Sequence, residues 1–359
     1  MPKPGIGLIG AGHIGGFHAR AVRGVLRRGL VEGEYVGVCD RDGERAEAFA
    51  TAADLPLCTT DPQRLIDDPR INAIYVCTHT AEHRDLVLAA AAAGKAIFCE
   101  KPLATTLADV RRMAEAVHAA GVTNQVGLVL RHAPIFNVLQ QLLADSALGR
   151  PMTVIFRDDQ FFPIQGHYES AWRKDFAAAG GGTLIEHSIH DLDLLRWLFG
   201  DVCRLRAQTR NLAGHDRIED LAIVELEHES GCLTTLTSVW HNVLSRRSLR
   251  QIEIFFENGY FALDQDHLGA IRYATAAEDG PRELSAGEVM ARYLTQVGMA
   301  SQEYEAILNR WSFEDLFFLR AVAAGQMAHP DFEVALRAHE LVDAAYRSAA
   351  DDGRAVTLT

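Results

Sequence analysis

The sequence has no cluster of basic residues, no long apolar run and no closely spaced cysteines, and each absence excludes a class of protein. Its 359 residues carry a formal net charge of -13, which argues against nucleic acid or another polyanion as a partner. No apolar run approaches the roughly 18 residues of a membrane-spanning helix. A first strand is reached by Ile6, which leaves no room for a secretory signal. We therefore expect a soluble, cytoplasmic protein that binds a small uncharged or cationic ligand.

Patterns of metal ligands are also scarce. The six cysteines are scattered without CxxC spacing, so we expect neither disulfides nor a cysteine-ligated zinc ion. His79 and His83 have the spacing of a ligand pair, but no cysteine or carboxylate cluster nearby offers a third ligand. His187 and His190 lie close to acidic residues, yet the HExxH sequence is absent. We expect no bound metal.

The length of the chain and its hydrophobic content of 48% favour two domains. Up to about Gly127, short apolar strands alternate with helical stretches, as in the βαβ units of a doubly wound parallel sheet. After Arg131 the pattern changes to longer strands joined by hairpin-like turns, which favours an antiparallel sheet. The final stretch, 313–350, has helical periodicity. The sequence predicts a nucleotide-binding domain over 1–128 and an α+β domain over 129–359.

A glycine-rich turn follows the first predicted strand and opens a helical segment. Its sequence, GAGHIG, contains Gly10, Gly12 and Gly15, with His13 and Ile14 between the last two glycines. In the strand-turn-helix context these glycines permit a tight turn and the close approach of a pyrophosphate. The turn therefore predicts a dinucleotide cofactor, the alternative being a glycine turn used only for packing.

The second predicted strand ends in Asp40, 25 residues after the last of these glycines. A carboxylate there would bind the ribose hydroxyls and repel a 2′-phosphate, which favours NAD. Arg41 follows and can stack on adenine or bind a phosphate, so NADP stays open, and Asp40 can alternatively be a plain turn residue. Further along the sheet, Thr78, His79 and His83 follow another strand and are predicted to line the cofactor.

The tripeptide Glu100-Lys101-Pro102 follows the strand at 96–99. Pro102 stiffens the exit from the strand and holds the lysine at a fixed place. An ammonium group near the nicotinamide can donate to an alcohol or carbonyl oxygen and stabilise charge that develops there. Without further support, Lys101 is equally described as a surface charge.

Glu186 and His190 stand four apart in an apolar helical pattern, which predicts that both lie on one helix face. A carboxylate one turn from an imidazole can orient the ring and support a general acid or base. The alternative is a pair of polar residues on a solvated face. His187 and Asp191 form a second pair, rotated by one position, and the spacing alone does not decide which pair faces a cleft.

The sequence GAGHIG, the Glu100-Lys101-Pro102 tripeptide and GGG followed by Glu186 and His190 together resemble the Gfo/Idh/MocA oxidoreductases over essentially the whole chain. The resemblance implies an N-terminal Rossmann domain, a C-terminal domain built on a large open sheet, and a homodimer or homotetramer. It also implies oxidation or reduction of sugars and polyols with NAD or NADP. Lys101 and His190 match the lysine and histidine to which this family's catalysis is assigned, and Glu186 stands where Asp is common.

The same resemblance adds residues to each half of the site. Glu100 joins the cofactor-binding residues, and His187 lines the substrate pocket. Further cofactor-binding candidates are Arg131, Trp172 and Arg173. The polar and aromatic segment 156–168 can form a wall that binds hydroxyl groups, or an edge strand and loop of ordinary composition. Its candidates for substrate binding are Asp159, Gln160 and His167.

These residues predict reversible hydride transfer between nicotinamide and a secondary hydroxyl or carbonyl of a sugar, inositol or related polyol. Lys101 would polarise the oxygen, and His190, oriented by Glu186, would move the proton. Two alternatives are a glycosidase or lyase that oxidises the sugar transiently, and a sensor of NAD or sugar without catalysis.

Overall fold

The computed structural model describes residues 3–166, 168–300 and 313–358. Their contacts divide into two compact units, the first comprising residues up to Leu128 together with 313–336. The second comprises 129–300 and 337–358. The sequence-based division assigned everything after residue 128 to the second domain. The structure differs because the helix that begins at Phe313 packs against the first helix of the chain.

The first unit is built on six parallel strands in the order β3-β2-β1-β4-β5-β6. Their bounds are β1 (Gly5–Ile9), β2 (Glu34–Cys39), β3 (Leu57–Thr59), β4 (Ala73–Val76), β5 (Ala96–Cys99) and β6 (Asn124–Val126). Strands β1, β4 and β5 are buried along their whole length, as expected of a parallel sheet covered on both faces. The predicted Rossmann-type fold of the N-terminal region is confirmed.

Six α-helices lie within the part of this unit that the structure describes. They are α1 (His13–Arg27), α2 (Gly43–Ala53), α3 (Pro62–Ile66), α4 (His83–Ala92), α5 (Leu107–Ala120) and α11 (Phe313–Ala324). Side chains cap three of them at the N-terminus, where Asp42, Asp61 and Thr106 each accept a backbone N–H of the first turn. Helix α1 has no such side-chain cap and no acidic residue in its first turn, so no negative charge there would repel a phosphate.

The second unit contains a nine-stranded sheet in the order β14-β13-β12-β11-β7-β10-β9-β8-β15. All neighbours are antiparallel except β7 and β10, so the predicted large, mostly antiparallel sheet is confirmed. The strands are β7 (Pro151–Phe161), β8 (Val202–Arg210), β9 (Leu221–His228), β10 (Leu233–His241), β11 (Leu249–Phe256), β12 (Gly259–Leu263), β13 (Ile271–Thr275), β14 (Arg282–Leu284) and β15 (Val356–Thr357).

One face of this sheet is buried and the other is open. Along β7, Val154 and Phe156 are buried, whereas Ile155 between them is 49% exposed. This alternation follows from the two-residue period of a strand. The helices of the unit are α6 (Pro134–Leu143), α7 (Phe176–Ala179), α8 (Thr183–Glu186), α9 (Ile189–Phe199), α10 (Ala286–Gln296) and most of α12 (Phe332–Ala350).

The stretch 313–350, predicted to be helical, forms two helices. Helix α11 ends at Ala324 and α12 begins at Phe332, and Gly325 between them has a φ of +62°, which favours glycine and ends a helix. Within the described ranges, no helix combines the length and the apolar character needed to cross a lipid bilayer.

Candidate active site

In the glycine turn after β1, two positions can be occupied only by glycine, and a third has open space around it. A Cβ atom at Gly10, where φ is +103°, would lie 2.5 Å from the carbonyl oxygen of Cys77. A Cβ atom at Gly15 would lie 2.0 Å from the carbonyl oxygen of Gly10. At Gly12 nothing lies within 4 Å. The turn is therefore packed tightly underneath and open above Gly12.

This turn leads directly into the uncapped N-terminus of α1. Gly12 precedes the helix in an extended conformation, and His13 and Ile14 in the first turn are exposed. Free N–H groups and the positive end of a helix dipole attract phosphate. The open space over Gly12 and the absence of an acidic residue in the first turn fit the pyrophosphate of a dinucleotide.

Asp40, at the end of β2, braces the glycine turn. Its Oδ2 accepts a hydrogen bond from the Ala11 N–H at 2.8 Å, and its Oδ1 accepts one from the Asp42 N–H at 2.9 Å. The neighbouring Arg41 is exposed and pairs with Glu82 at 3.1 Å. The carboxylate thus fixes the shape of the turn, and the binding of ribose by Asp40 stays a prediction.

The Lys101 loop is fixed from both sides. The Lys101 N–H donates to Glu100 Oε2 at 3.0 Å, and the Pro102 carbonyl oxygen lies 2.9 Å from His83 Nδ1. His83 is buried, and its Nε2 lies 3.2 Å from the carbonyl oxygen of Thr78, so it links the loops after β4 and β5. Because β1, β4 and β5 are adjacent and parallel, these loops lie at the same edge of the sheet as the glycine turn.

In the second unit, Glu186 and His190 do not belong to one helix. Helix α8 ends at Glu186 and α9 begins at Ile189, with His187 outside helical geometry at φ -124° and ψ -58°. The His190 N–H donates to the carbonyl oxygen of His187 at 3.3 Å rather than continuing the i to i-4 pattern of a helix. The prediction of one shared helix face is therefore wrong, although both side chains are buried.

Three predicted residues come together around Glu186. Its Oε2 accepts a hydrogen bond from Arg173 Nε at 2.8 Å, and the Arg173 guanidinium stacks on the Trp172 ring at 4.6 Å. The Glu186 side chain is almost fully buried, which makes this charge-assisted contact strong. The sequence analysis did not predict this contact between Glu186 and Arg173.

A row of polar residues crosses the buried face of the sheet beside His187. Ser238 on β10 and Arg250 on β11 both lie opposite Asp158 on β7. His187 Nδ1 lies 2.9 Å from Asp158 Oδ2, and Arg250 Nε donates to Asp191 Oδ1 at 2.6 Å. The sequence analysis missed Asp158 and Arg250. The sequence did contain a signal for them: each is a charged residue at a strand position that the alternation of side chains places on the buried face of the sheet.

Asp158 and Asp191 are buried carboxyl groups with raised pKa values. Burial raises the pKa of both carboxyls, and that of Asp191 reaches about 7 despite the nearby Arg250. The group beside His187 thus contains a carboxyl that titrates near neutral pH.

The remaining predicted residues lie elsewhere in the second unit. Asp159 lies on the opposite face of β7 from Asp158 and pairs with Arg246, because side chains alternate along a strand. Gln160 shares the face of Asp158 and is buried. Arg131 makes two hydrogen bonds of 2.7 Å to Asp193 and stacks on the Trp197 ring. His167 lies outside the described residues.

Two family models match the chain. The oxidoreductase family with an NAD-binding Rossmann fold matches residues 5–128, and the GFO/IDH/MocA C-terminal domain matches residues 136–262. The D-apiose dehydrogenase of Paraburkholderia graminis is 30% identical over 355 residues, which cover 98% of this chain and 88% of that protein. The 1,5-anhydro-D-fructose reductase of Ensifer adhaerens is 36% identical over 198 residues, which cover 54% of this chain and 56% of that protein.

The fold also matches solved structures. A levoglucosan dehydrogenase in complex with NADH and L-sorbose has a TM-score of 0.85 and 23% identity, with 100% of both chains covered. At this identity the match concerns the fold. The family models and the full-length relative together show that the chain belongs to the GFO/IDH/MocA family of oxidoreductases, with an NAD-binding N-terminal Rossmann domain.

Proposed function

We propose that the protein catalyses NAD-dependent hydride transfer at a secondary hydroxyl or carbonyl group of a sugar, inositol or related polyol. The observation that carries the proposal is the Lys101 loop, held by Glu100 and His83 at the same sheet edge as the glycine turn. Relatives named for D-apiose and 1,5-anhydro-D-fructose, and the neighbour solved with NADH and L-sorbose, support this substrate class.

NAD, when bound, would supply the acceptor for the hydride of the carbinol carbon. The residues that would hold it are those of the glycine turn and the N-terminus of α1, with Asp40 toward the ribose. Gly12 leaves room for the pyrophosphate, while Gly10 and Gly15 keep the turn close to the sheet. A carboxylate at Asp40 disfavours a 2′-phosphate, in agreement with the NAD-binding family.

The chain's own residues handle the oxygen and its proton. The Lys101 ammonium donates a hydrogen bond to the reacting oxygen and stabilises the charge that develops on it. During oxidation His190 accepts the hydroxyl proton, and during reduction it returns a proton to the new hydroxyl. Glu186, fixed by Arg173, shapes the chain immediately before His190.

His187 is suited to binding a substrate hydroxyl. Its Nδ1 lies 2.9 Å from Asp158 Oδ2, so this nitrogen carries the hydrogen and donates to the carboxylate. Its Nε2 lies 3.4 Å from an Arg250 nitrogen. The binding of a substrate hydroxyl by His187 belongs to this proposal.

A homodimer or homotetramer belongs to the same proposal. The open face of the nine-stranded sheet carries exposed apolar side chains, among them Ile155, Ile223 and Leu233. Exposed apolar side chains on one sheet face are consistent with a protein interface. A second copy of the chain would cover it.

The test is a comparison of Lys101→Ala and His190→Ala with the parent protein. Turnover should fall by about 100-fold or more in each, because each variant removes a group that acts on the reacting oxygen. NADH binding, followed by fluorescence titration, should persist. Lys3→Ala is the matched control, since Lys3 lies on the surface in an ion pair with Glu32.

Near-parental turnover in Lys101→Ala or His190→Ala would remove the proposed roles. Conversion of a sugar without accumulation of NADH would indicate transient oxidation instead of net dehydrogenation. Binding of NADH and sugars without any turnover would indicate a sensor.

A further inference from the structure

A buried histidine of the first unit, His18, links the cofactor-binding helix to the Lys101 loop. It lies in α1, three residues after Gly15, and its side chain is fully buried. Its Nε2 lies 2.8 Å from Glu100 Oε1, and its Nδ1 lies 2.9 Å from Asp315 Oδ1. The imidazole therefore bridges the carboxyl end of β5 and the start of α11.

The two carboxylates determine the protonation state of His18. Glu100 and Asp315 each contact one ring nitrogen, and an ionised carboxylate only accepts hydrogen bonds. Burial raises the pKa of Asp315, while its contact with His18 lowers it. Burial lowers the pKa of His18, but Asp315 and Glu100 raise it further, to well above its ordinary value of 6.5. His18 is an imidazolium at neutral pH, and neither ring nitrogen is left to bind a metal ion.

The titratable groups around His18 are acidic or uncharged, with Lys101 as the exception. The titratable groups packed around this cluster are Tyr75, Cys77, Cys99, Glu100, Lys101, Glu314 and Asp315. Burial raises the pKa of Tyr75 and of both thiols, which keeps them uncharged. Burial also raises the pKa of Glu314 well above its ordinary value, which favours its protonated form. His18 thus supplies a positive charge that this acidic cluster requires.

Glu100 extends the contact to Lys101. Its Oε2 accepts the Lys101 N–H at 3.0 Å, while its carboxyl group rests on Gly127, where a Cβ atom would lie 2.8 Å from Oε1. Burial raises the pKa of Glu100, but His18 and Lys101 lower it more, so its net pKa is below the ordinary value. Glu100 is therefore ionised, and its charge is held next to the lysine.

We propose that His18 is a positioning residue for Lys101: it holds the Glu100 carboxylate where that group fixes the Lys101 backbone and balances the Lys101 ammonium charge. The proposal rests on the proposed catalytic role of Lys101. Because His18 and the N-terminus of the cofactor-binding helix belong to the same α1, one rigid element carries the phosphate-binding N–H groups and sets the charge around the lysine.

The first test is the titration of Lys101 in His18→Gln. Glutamine carries no charge, so the Glu100 carboxylate is held less firmly beside Lys101. The pKa of Lys101 should then fall by about one unit, since the neighbouring opposite charge moves away while Glu100 stays ionised in the range where a lysine titrates. The pH dependence of labelling with trinitrobenzenesulfonate, measured by peptide mass spectrometry, reports this value directly. The sequence has four lysines, and Lys3, Lys95 and Lys174 serve as internal references.

Steady-state kinetics provide a second readout. In His18→Gln, kcat should fall about tenfold while KM for NAD stays within about twofold, because the ammonium group is displaced and the glycine turn is not. His228→Gln is the matched control, because His228 is a buried histidine of the second unit that contacts Gly200 and Thr234. It should leave the Lys101 titration and kcat unchanged.

Asp315→Asn is a second variant for the same titration, for use if His18→Gln does not fold. It keeps an acceptor for His18 Nδ1 and removes only the charge of Asp315. It should shift the Lys101 titration in the same direction by a smaller amount. An unchanged Lys101 titration in either folded variant overturns the proposal. Labelling needs no turnover, so a failure of the catalytic role, seen as full activity in Lys101→Ala, is distinguishable from a failure of the positioning role.

Discussion

Three glycines of one turn and helix should respond differently to alanine. At Gly15 the added carbon would lie 2.0 Å from the Gly10 carbonyl oxygen, whereas ordinary contact begins at 3.4 Å, so helix and turn must separate by about 1.4 Å. We expect Gly15→Ala to lower the free energy of unfolding by about 1–3 kcal/mol. At Gly12 the backbone is extended and nothing lies within 4 Å, so Gly12→Ala should change stability by less than about 1 kcal/mol.

Binding of NADH should show the opposite order. The methyl group of Gly12→Ala would occupy the space proposed for the pyrophosphate, and affinity should fall about tenfold or more, equivalent to about 1.4 kcal/mol. Gly16→Ala is the control within the same helix, because its added carbon meets only a side-chain nitrogen of Arg20 at 3.5 Å. It should retain both stability and affinity.

The assays are urea denaturation followed by circular dichroism and NADH titration followed by fluorescence. If Gly12→Ala bound NADH as tightly as the parent protein, the cofactor phosphates could not lie over Gly12. If Gly15→Ala were as stable as Gly16→Ala, the close packing of the turn would be refuted instead.

Two further predictions concern buried charges of the second unit. Arg131→Ala should lower the free energy of unfolding by about 3–5 kcal/mol, because it leaves Asp193 buried without its partner. Arg150→Ala, which breaks a surface pair, should change the stability far less, and urea denaturation compares the two. Burial raises the pKa of Asp191 to about 7, so the folded protein binds the proton of this carboxyl group more tightly than the unfolded chain does. The stability that the protonated Asp191 contributes should therefore be lost as the pH rises from about 4 through 7. Urea midpoints measured across this range should decline less in Asp191→Asn, which resembles the protonated form, and an equal decline in both proteins would contradict the assignment.

Features that depend on local chain geometry could be predicted from the sequence. The glycine turn, the Lys101 loop and the parallel sheet all follow from short strands that end in residues with special backbone requirements. Gly10 has a φ of +103°, and a Cβ atom at Gly15 would meet the carbonyl oxygen of Gly10, so both of these requirements arise within one turn. For the same reason the fold class was predictable from the alternation of strands and helices.

Features that depend on distant pairing could not be predicted in this way. Asp158 and Arg250 meet because β7 pairs with β11, about ninety residues later in the chain. The break at His187 was hidden because the apolar period continues through it, while the contacts of Ser188 with Ser238 and Asp158 are tertiary. His18 likewise lies in an amphipathic helix, and its partner Asp315 is almost three hundred residues away.

The most direct measurement of the central claim is the appearance of NADH absorbance when the protein meets a panel of sugars, inositols and anhydrosugars. NAD and NADP should be run in parallel, with Lys101→Ala as the second protein. The account predicts reduction of NAD by at least one cyclic polyol or sugar, at a rate about 100-fold or more above that of Lys101→Ala. No NADH with any member of the panel, or equal rates for the two proteins, would contradict it.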